Sequence, residues 1–383
     1  MAKCRNVRLG DVVKIQQTTC AFGGDSVWLL NLDMVEQNTG KIIDYYYTNQ
    51  CGNSTIAFDE NHVLYSKLRP NLNKVVCPNR KGFATSELLP LLPDNTILTK
   101  EYLAEYLRSP FFVNWAVSKT AGAKMPRLAP KDLLNKSIPL PPLETQNQIA
   151  ANLDKVTHTI DLCNAILEKL DLLVKSRFIE LFGDVKTGVY KFETRKLGEV
   201  AVVGSSHRVF TTEFVENGVP FYRGTEIGEL ANGIKPENPY RITKEHYDRL
   251  ASDETKPQIG DLLMPSICNK GQVWMVDTNE PFYYKDGRVL CISPNRELFN
   301  CKYLEQFMRE KTLVEYPKLG SGSNFAEFKI FLLKDIDVLI PPIELQDQFA
   351  AFVEQTDKSK SAVKQVLEKA ETLKKALMQE YFG

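Results

Sequence analysis

Pro141-Pro142-Leu143-Glu144-Thr145-Gln146-Asn147-Gln148-Ile149-Ala150-Ala151 is written again 200 residues later as Pro341-Pro342-Ile343-Glu344-Leu345-Gln346-Asp347-Gln348-Phe349-Ala350-Ala351. The first copy runs on to Leu181-Phe182-Gly183 and the second to Tyr381-Phe382-Gly383. The 43 aligned positions share 15 identities without a gap. A repeat of this length is one structural unit used twice, so the chain reads as two copies of a globular part followed by a helix.

Both copies carry helix punctuation. A Pro-Pro pair precedes Glu144 or Glu344, a carboxylate suited to the positive end of the helix dipole, and a glycine closes each run. In the first copy apolar residues recur at Ile149, Leu153, Val156, Ile160, Cys163, Leu167, Leu170, Val174, Phe178 and Leu181, the alternating four-and-three spacing of a coiled-coil seam. The second copy keeps the phase at Phe349, Val353, Val363, Leu367, Ala370, Leu377 and Tyr381. Thr356, Lys360 and Lys374 interrupt it, and Phe352, Val366 and Leu373 widen the stripe. From Glu144 to Leu181 such a helix is roughly 57 Å long at 1.5 Å per residue. One apolar stripe on a helix of that length needs a partner. The other copy is the nearest, and a chain that returns makes the pair antiparallel. The expected fold is α+β: globular parts at 1–140 and 184–340 in a pseudo-two-fold arrangement, separated by two long antiparallel helices at 141–183 and 341–383.

Composition excludes several classes. No apolar run approaches the 18 residues of a membrane span and no signal pattern opens the chain. The eight cysteines form no C-x-x-C pair and no ligand cluster with the four histidines, which reads as reduced thiols in a cytoplasmic protein that binds no metal. Net charge is zero overall, yet residues 1–140 hold 17 basic against 12 acidic side chains, a local +5. Nucleic-acid binding must therefore rest on local patches, most easily in the first half.

Between the helices the halves match at their edges and differ in the middle. Val7-Arg8-Leu9-Gly10-Asp11-Val12 is echoed by Arg195-Lys196-Leu197-Gly198-Glu199-Val200. Strands are expected at 28–33, 41–48 and 62–67, then at 219–223, 261–264, 272–277 and 288–292, with helices at 100–108 and 300–310. Each globular part should thus hold a sheet and one or two helices. Before each Pro-Pro lies a glycine loop, with Gly122 aligned on Gly322.

Catalytic patterns are missing. There is no Walker loop, H-E-x-x-H, G-x-S-x-G or complete G-x-G-x-x-G. Glu327-Phe328-Lys329 imitates part of a nuclease centre without an acidic partner, and His62, His158, His207 and His246 stand isolated. What remains is recognition surface, because Arg and Lys hold phosphates or guanine edges and Asn suits adenine. In the first half the candidates are Tyr65, Ser66, Lys67, Arg69, Asn71, Asn73 and Lys74, with Lys119, Gly122, Lys124 and Arg127 around the glycine loop. In the second they are Tyr222, Arg223, Thr225, Ser266, Asn269, Lys270 and Gln272, with Lys318, Ser321, Ser323, Asn324 and Lys329.

The phrase I-P-L-P-P-L-E-x-Q-x-Q-I-A at 138–150, L-I-P-P-I-E-L-Q-D-Q-F-A at 339–350, Leu64-Tyr65-Ser66-Lys67-Leu68-Arg69-Pro70 and Leu181-Phe182-Gly183-Asp184 resemble the conserved regions of DNA-specificity subunits of Type I restriction–modification systems. The resemblance covers the whole chain and departs from the pattern at polar Thr356 and Lys360. It implies a subunit without catalysis of its own, whose two target-recognition domains each read one half of a bipartite, asymmetric duplex sequence. It also implies that the helices set the spacer and dock two methyltransferase subunits that methylate adenine with S-adenosylmethionine. Two restriction subunits using ATP and Mg2+ would join them. Half-sites one DNA turn apart, about 34–36 Å, fit within such a helix, and the target base would be flipped into the partner's pocket. The alternative reading is a protein-interaction scaffold whose coiled coil tethers two domains that do not bind DNA.

Overall fold

A computed structural model of the chain describes residues 5–16, 26–49, 55–122, 124–251, 255–320 and 326–383. It divides into two compact units, Met1–Ala165 with Val363–Gly383, and Ile166–Ala362. The units cut across the segments read from the sequence, since each takes part of both long helices.

Unit 1 begins with β1 (Arg5–Arg8), the single-turn α1 (Leu9–Val12), β2 (Val13–Ile15), β3 (Val27–Leu30), β4 (Tyr46–Thr48), β5 (Thr55–Phe58), β6 (Val63–Ser66), β7 (Val75–Val76), β8 (Gly82–Thr85) and β9 (Leu88–Pro93). Then come α2 (Lys100–Arg108), α3 (Pro110–Ser118), α4 (Pro130–Asn135), β10 (Ser137–Leu140) and α5 (Leu143–Phe182). Two sheets form here, where the sequence reading expected one: β2-β9-β6-β7 and β4-β3-β8-β5, while β1 pairs with β10. Strand β9 reads Leu-Leu-Pro-Leu-Leu-Pro, a continuous apolar run without the alternation that marks a half-exposed strand. The expected strand over 41–48 shrinks to β4, because Ile42 makes only a single bridge to Val35.

Unit 2 repeats this order with β11 (Gly183–Asp184), β12 (Val189–Tyr190), β13 (Thr194–Lys196), α6 (Leu197–Val200), β14 (Ala201–Gly204), β15 (Val219–Tyr222), α7 (Gly224–Ala231), β16 (Tyr240–Ile242) and α8 (Lys244–Leu250). It continues through β17 (Leu262–Pro265), β18 (Trp274–Met275), β19 (Tyr283–Tyr284), β20 (Val289–Pro294), α9 (Cys301–Glu315), α10 (Ile330–Lys334), β21 (Asp337–Leu339) and α11 (Ile343–Phe382). Its sheets are β14-β20-β17-β18 and β16-β15-β19, with β13 on β21. The terminal pairing, the first sheet and the antiparallel-plus-parallel centre of the second (β4-β3-β8 and β16-β15-β19) all recur.

The repeated motif explains how each long helix is seated. Gln146 and Gln346 are fully buried. Gln146 accepts from the Thr99 amide at 2.9 Å and donates to the carbonyls of Ile97 (2.8 Å) and Pro141 (2.9 Å). Gln346 does the same with the Asn300 amide (3.0 Å) and the carbonyls of Leu298 (2.9 Å) and Pro341 (2.8 Å). One side chain thus satisfies three backbone groups and locks the first helical turn to its globular part. Gln146→Leu should lower the stability of unit 1 by about 2–4 kcal/mol, because it orphans buried polar groups; urea unfolding measures it. Gly183 ends α5 as the sequence predicts, at φ +99, where an added Cβ would lie 2.2 Å from the Val189 carbonyl.

Within unit 1, Ile149 and Leu153 of α5 share a core with Met378 and Phe382 of α11, and Asn152 Nδ2 donates to Tyr381 Oη at 3.2 Å. Within unit 2, Val174, Phe178 and Phe182 share a core with Phe349 and Val353, and Lys360 pairs with Asp171 at 2.6 Å. Rising numbers on one helix meet falling numbers on the other, so the pairing is antiparallel. The seam positions Val156, Ile160, Leu167, Leu170, Val363, Leu367 and Leu377 are half-buried and Ala370 is buried. Three details correct the sequence reading. Phe182 and Phe382, rather than Leu181 and Tyr381, end the buried stripe. Thr356 belongs to the seam: it is buried, and its hydroxyl donates to the Phe352 carbonyl at 2.9 Å, which removes the cost of burying it. Val366 and Leu373 do not widen the seam, being 48% and 49% exposed.

Candidate nucleic-acid interface

In unit 1 the two candidate stretches come together. Arg69 N donates to the Pro126 carbonyl (2.8 Å) and Leu128 N to the Lys67 carbonyl (2.9 Å), while Ala121 and Arg127 exchange both backbone bonds at 3.0 and 3.2 Å. The 67–74 loop and the glycine loop are therefore one backbone-paired surface. Gly122, at φ +100, makes the tight return.

Within it Arg69 and Asn73 adopt the left-handed conformation, φ +49 and +48, on either side of the 3-10 turn Pro70–Leu72. Such backbone is uncommon outside glycine and costs on the order of 1 kcal/mol or more. Neighbours hold it in place. Asn73 Nδ2 donates to the Arg108 carbonyl (3.0 Å), the Arg108 guanidinium donates to the Val75 carbonyl (2.9 and 3.2 Å), and Lys74 Nζ donates to the Leu32 carbonyl (2.6 Å). Arg127 is clamped on Glu87 at 3.1 and 3.3 Å.

Several expected contacts turn out to be support. Tyr65 is core: it is 3% exposed, its ring stands edge-on to Phe112, and burial pushes its phenol up. Ser66 is buried and donates to the Leu68 carbonyl at 2.8 Å. Asn73 and Lys74 spend their side chains on the turn. What the surface offers outward is Arg69, Asn71, Lys119 and Lys124, with Lys67 half-buried and Arg127 exposed at its edge. Arg69→Gly tests the cation without disturbing the turn, since glycine accepts positive φ freely. It should weaken duplex binding by the assembled complex about ten-fold and flatten its salt dependence, read by fluorescence anisotropy at several salt concentrations.

Unit 2 builds the same pairing one repeat later. Phe328 N donates to the Ser266 carbonyl at 2.7 Å, as Leu128 does to Lys67. Ser266 is buried, a bracing residue rather than a contact. Glu327 gathers Arg288 (2.7 Å) and Lys329, and its carboxyl lies below the usual range, first through the Lys329 hydrogen bond. Gln272 Oε1 accepts from the Lys270 amide at 3.0 Å and shapes the 269–272 turn. Tyr222 stacks on Phe282 with ring centres 5.2 Å apart. Arg223 is forked onto Glu226 at 2.7 and 3.2 Å. Lys318 pairs with Glu315 at 3.0 Å. Thr225, Asn269, Lys270, Lys318 and Lys329 are exposed, and Ser321, Ser323 and Asn324 lie outside the described residues. Glu87 and Glu327, which brace the two loops, gave no signal in motif or spacing. No group of three or more metal-ligating side chains occurs among the described residues.

Residues 1–172 match the family model described as the Type I restriction modification DNA specificity domain. The chain belongs to the Type I restriction–modification DNA specificity family. The MjaVIII specificity subunit of a Type I restriction enzyme from Methanocaldococcus jannaschii is 26% identical over 348 residues, covering 85% of this chain and 79% of that one. Solved structures share the fold. The Type I restriction–modification S subunit from M. genitalium aligns over 100% of this chain and 96% of its own, with TM-score 0.62 and 13% identity. A chain from a study of complex assembly and conformational transition of the type I R-M system aligns over 99% and 97%, with TM-score 0.58 and 20% identity. The specificity family accounts for two reading units and no catalytic constellation.

Proposed function

We propose that this chain is the non-catalytic DNA-specificity subunit of a Type I restriction–modification complex, each unit reading one half of a bipartite duplex sequence. The observation that carries this is the recurrence of one braced loop surface, Lys67–Leu128 in unit 1 and Ser266–Phe328 in unit 2, in a chain of the specificity family. Duplex DNA and methyltransferase subunits are its partners. Continuous α5, about 60 Å long at 1.5 Å per residue, sets the untouched spacer. S-adenosylmethionine belongs to the methyltransferase subunits, and ATP with Mg2+ to restriction subunits where these join. No helix among the described residues is long and apolar enough to cross a membrane.

The helices also support a stoichiometry of two methyltransferase subunits. Leu173 and Leu373 are the same residue at equivalent repeat positions, and both are about half exposed, at 48% and 49%. Exposed apolar side chains kept in both copies suit a partner that docks twice. Leu173→Glu or Leu373→Glu alone should leave one methyltransferase subunit bound, and the double variant none, as counted by native mass spectrometry. Two subunits on the double variant would refute these docking sites.

A further inference from the structure

Outside the braced loops, each unit builds the same three-layer stack at the same place in its second sheet, from residues that no repeat alignment relates. In unit 1, Tyr45 stands at the start of edge strand β4. The Trp28 ring lies 5.6 Å from it, and the Arg80 guanidinium lies 4.9 Å over it. In unit 2, Tyr240 begins the corresponding edge strand β16, with the Phe214 ring stacked at 4.6 Å and the Arg223 guanidinium 4.6 Å over it. The tyrosines are exposed, at 43% and 46%. The arginines come from different connections, Arg80 from the loop before β8 and Arg223 from the end of β15. Local sequence therefore changed while the arrangement persisted.

An arginine laid on an aromatic face is held flat, with fewer rotamers to lose when its donors meet a partner. Both are further fixed by hydrogen bonds. Arg80 donates to Tyr47 Oη (3.0 Å) and Asn79 Oδ1 (3.4 Å), and Arg223 to Glu226. Burial raises the Glu226 carboxyl, but its bonds from Arg223 outweigh this and hold it below the usual range, so it remains an acceptor. These bonds leave guanidinium donors over for acceptors outside the protein, since five N–H groups are available on each. An exposed edge strand lined with tyrosine is a liability that proteins ordinarily blunt. Here it is kept in both units.

We infer that Arg80 on Tyr45 and Arg223 on Tyr240 are equivalent base-reading elements, one for each half of the DNA target, contacting an acceptor-bearing base edge in the groove. This rests on the specificity-subunit reading and adds residues to it. Duplex DNA is favoured over a protein partner because the stack recurs in the stretches where the two halves differ, as readers of two unlike half-sites must. In unit 1 it also lies in the part of the chain with net positive charge.

The test is methylation mapping with the complete methyltransferase complex carrying Arg80→Ala, Arg80→Lys or Arg223→Ala. Arg80→Ala should relax one base position of the first half-site about ten-fold or more and leave the second half intact. Arg223→Ala should do the reverse, and Arg80→Lys, which keeps charge without the flat fork, should behave as Arg80→Ala. Thermal unfolding of each variant alongside wild type separates lost reading from lost folding, and Tyr45→Phe, which keeps the stack, should retain wild-type specificity. A uniform loss of binding on every sequence, rescued by lysine, would make the contact a phosphate and overturn base reading. Loss of methyltransferase association with specificity intact would make the stack a protein surface and likewise overturn it. An unchanged methylation pattern overturns the inference alone. A wild-type complex that methylates no two-part sequence overturns the specificity reading, and this inference with it.

Discussion

Exchanging residues 1–140 for the matching part of a relative with a different target changes one half of the methylated sequence and leaves the other half as it was. The junction falls between β10, which ends at Leu140, and α5, which begins at Leu143. Across it the Gln146 side chain reaches only backbone groups, of Ile97, Thr99 and Pro141, and any graft with the same fold can present these. Apolar packing is the stricter demand. Tyr102 and Tyr106 meet Phe382 at 5.6 Å, so the graft must keep that aromatic seat. A specific site is held typically 10³-fold or more tighter than random sequence, so the exchanged half should switch outright rather than drift. Methylation sequencing of cells carrying the hybrid measures it. A change in both halves, or in neither, would show that the units do not read independently.

Adding one heptad to each long helix lengthens the untouched spacer by about 3 base pairs. Seven residues extend a helix by about 10.5 Å, against 3.4 Å per base pair, and a whole heptad keeps the apolar seam on the partner-facing side. The repeat alone suggests insertion near Cys163 with compensation near Val363. The structure moves the second site, because Asn152 opposite Tyr381 sets a register that brings Ala370, not Val363, across from Cys163. Both Cys163 and Ala370 are buried, as facing seam residues should be. Insertions there should keep the half-sites and change only the spacing, whereas four added residues would turn the seam away and disrupt the pair. An unchanged spacer would remove the helices' measuring role.

The architecture was legible wherever physics repeats with a period. The seam, the helix stop at Gly183 and the two-copy organisation follow from spacing that any packed helix pair must obey. The buried Gln146 and Gln346 were in plain view as part of the motif, yet their clamp was not. Nothing in a sequence says that a polar side chain will find three backbone partners at once. The candidate interface was legible in part. Basic, amide and glycine residues marked the right loops, but Tyr65 and Ser66 belong to the core, because in β6 four successive residues are buried and alternation fails. Glu87, Glu327 and the stacked Arg80 act across 33 to 40 residues of sequence, beyond the reach of any local pattern. Thr356 and Lys360 looked like breaks in the seam. They are tolerated there because one returns its hydroxyl to its own helix and the other finds Asp171.

The whole account rests on two readers sharing one helical pair. Genome-wide mapping of methylated adenine in cells with and without this chain tests that most directly. The account predicts a single two-part sequence, its halves separated by a fixed number of unread base pairs, whose methylation disappears with the chain. Methylation that is unaltered by the deletion, or confined to one uninterrupted motif, would contradict it.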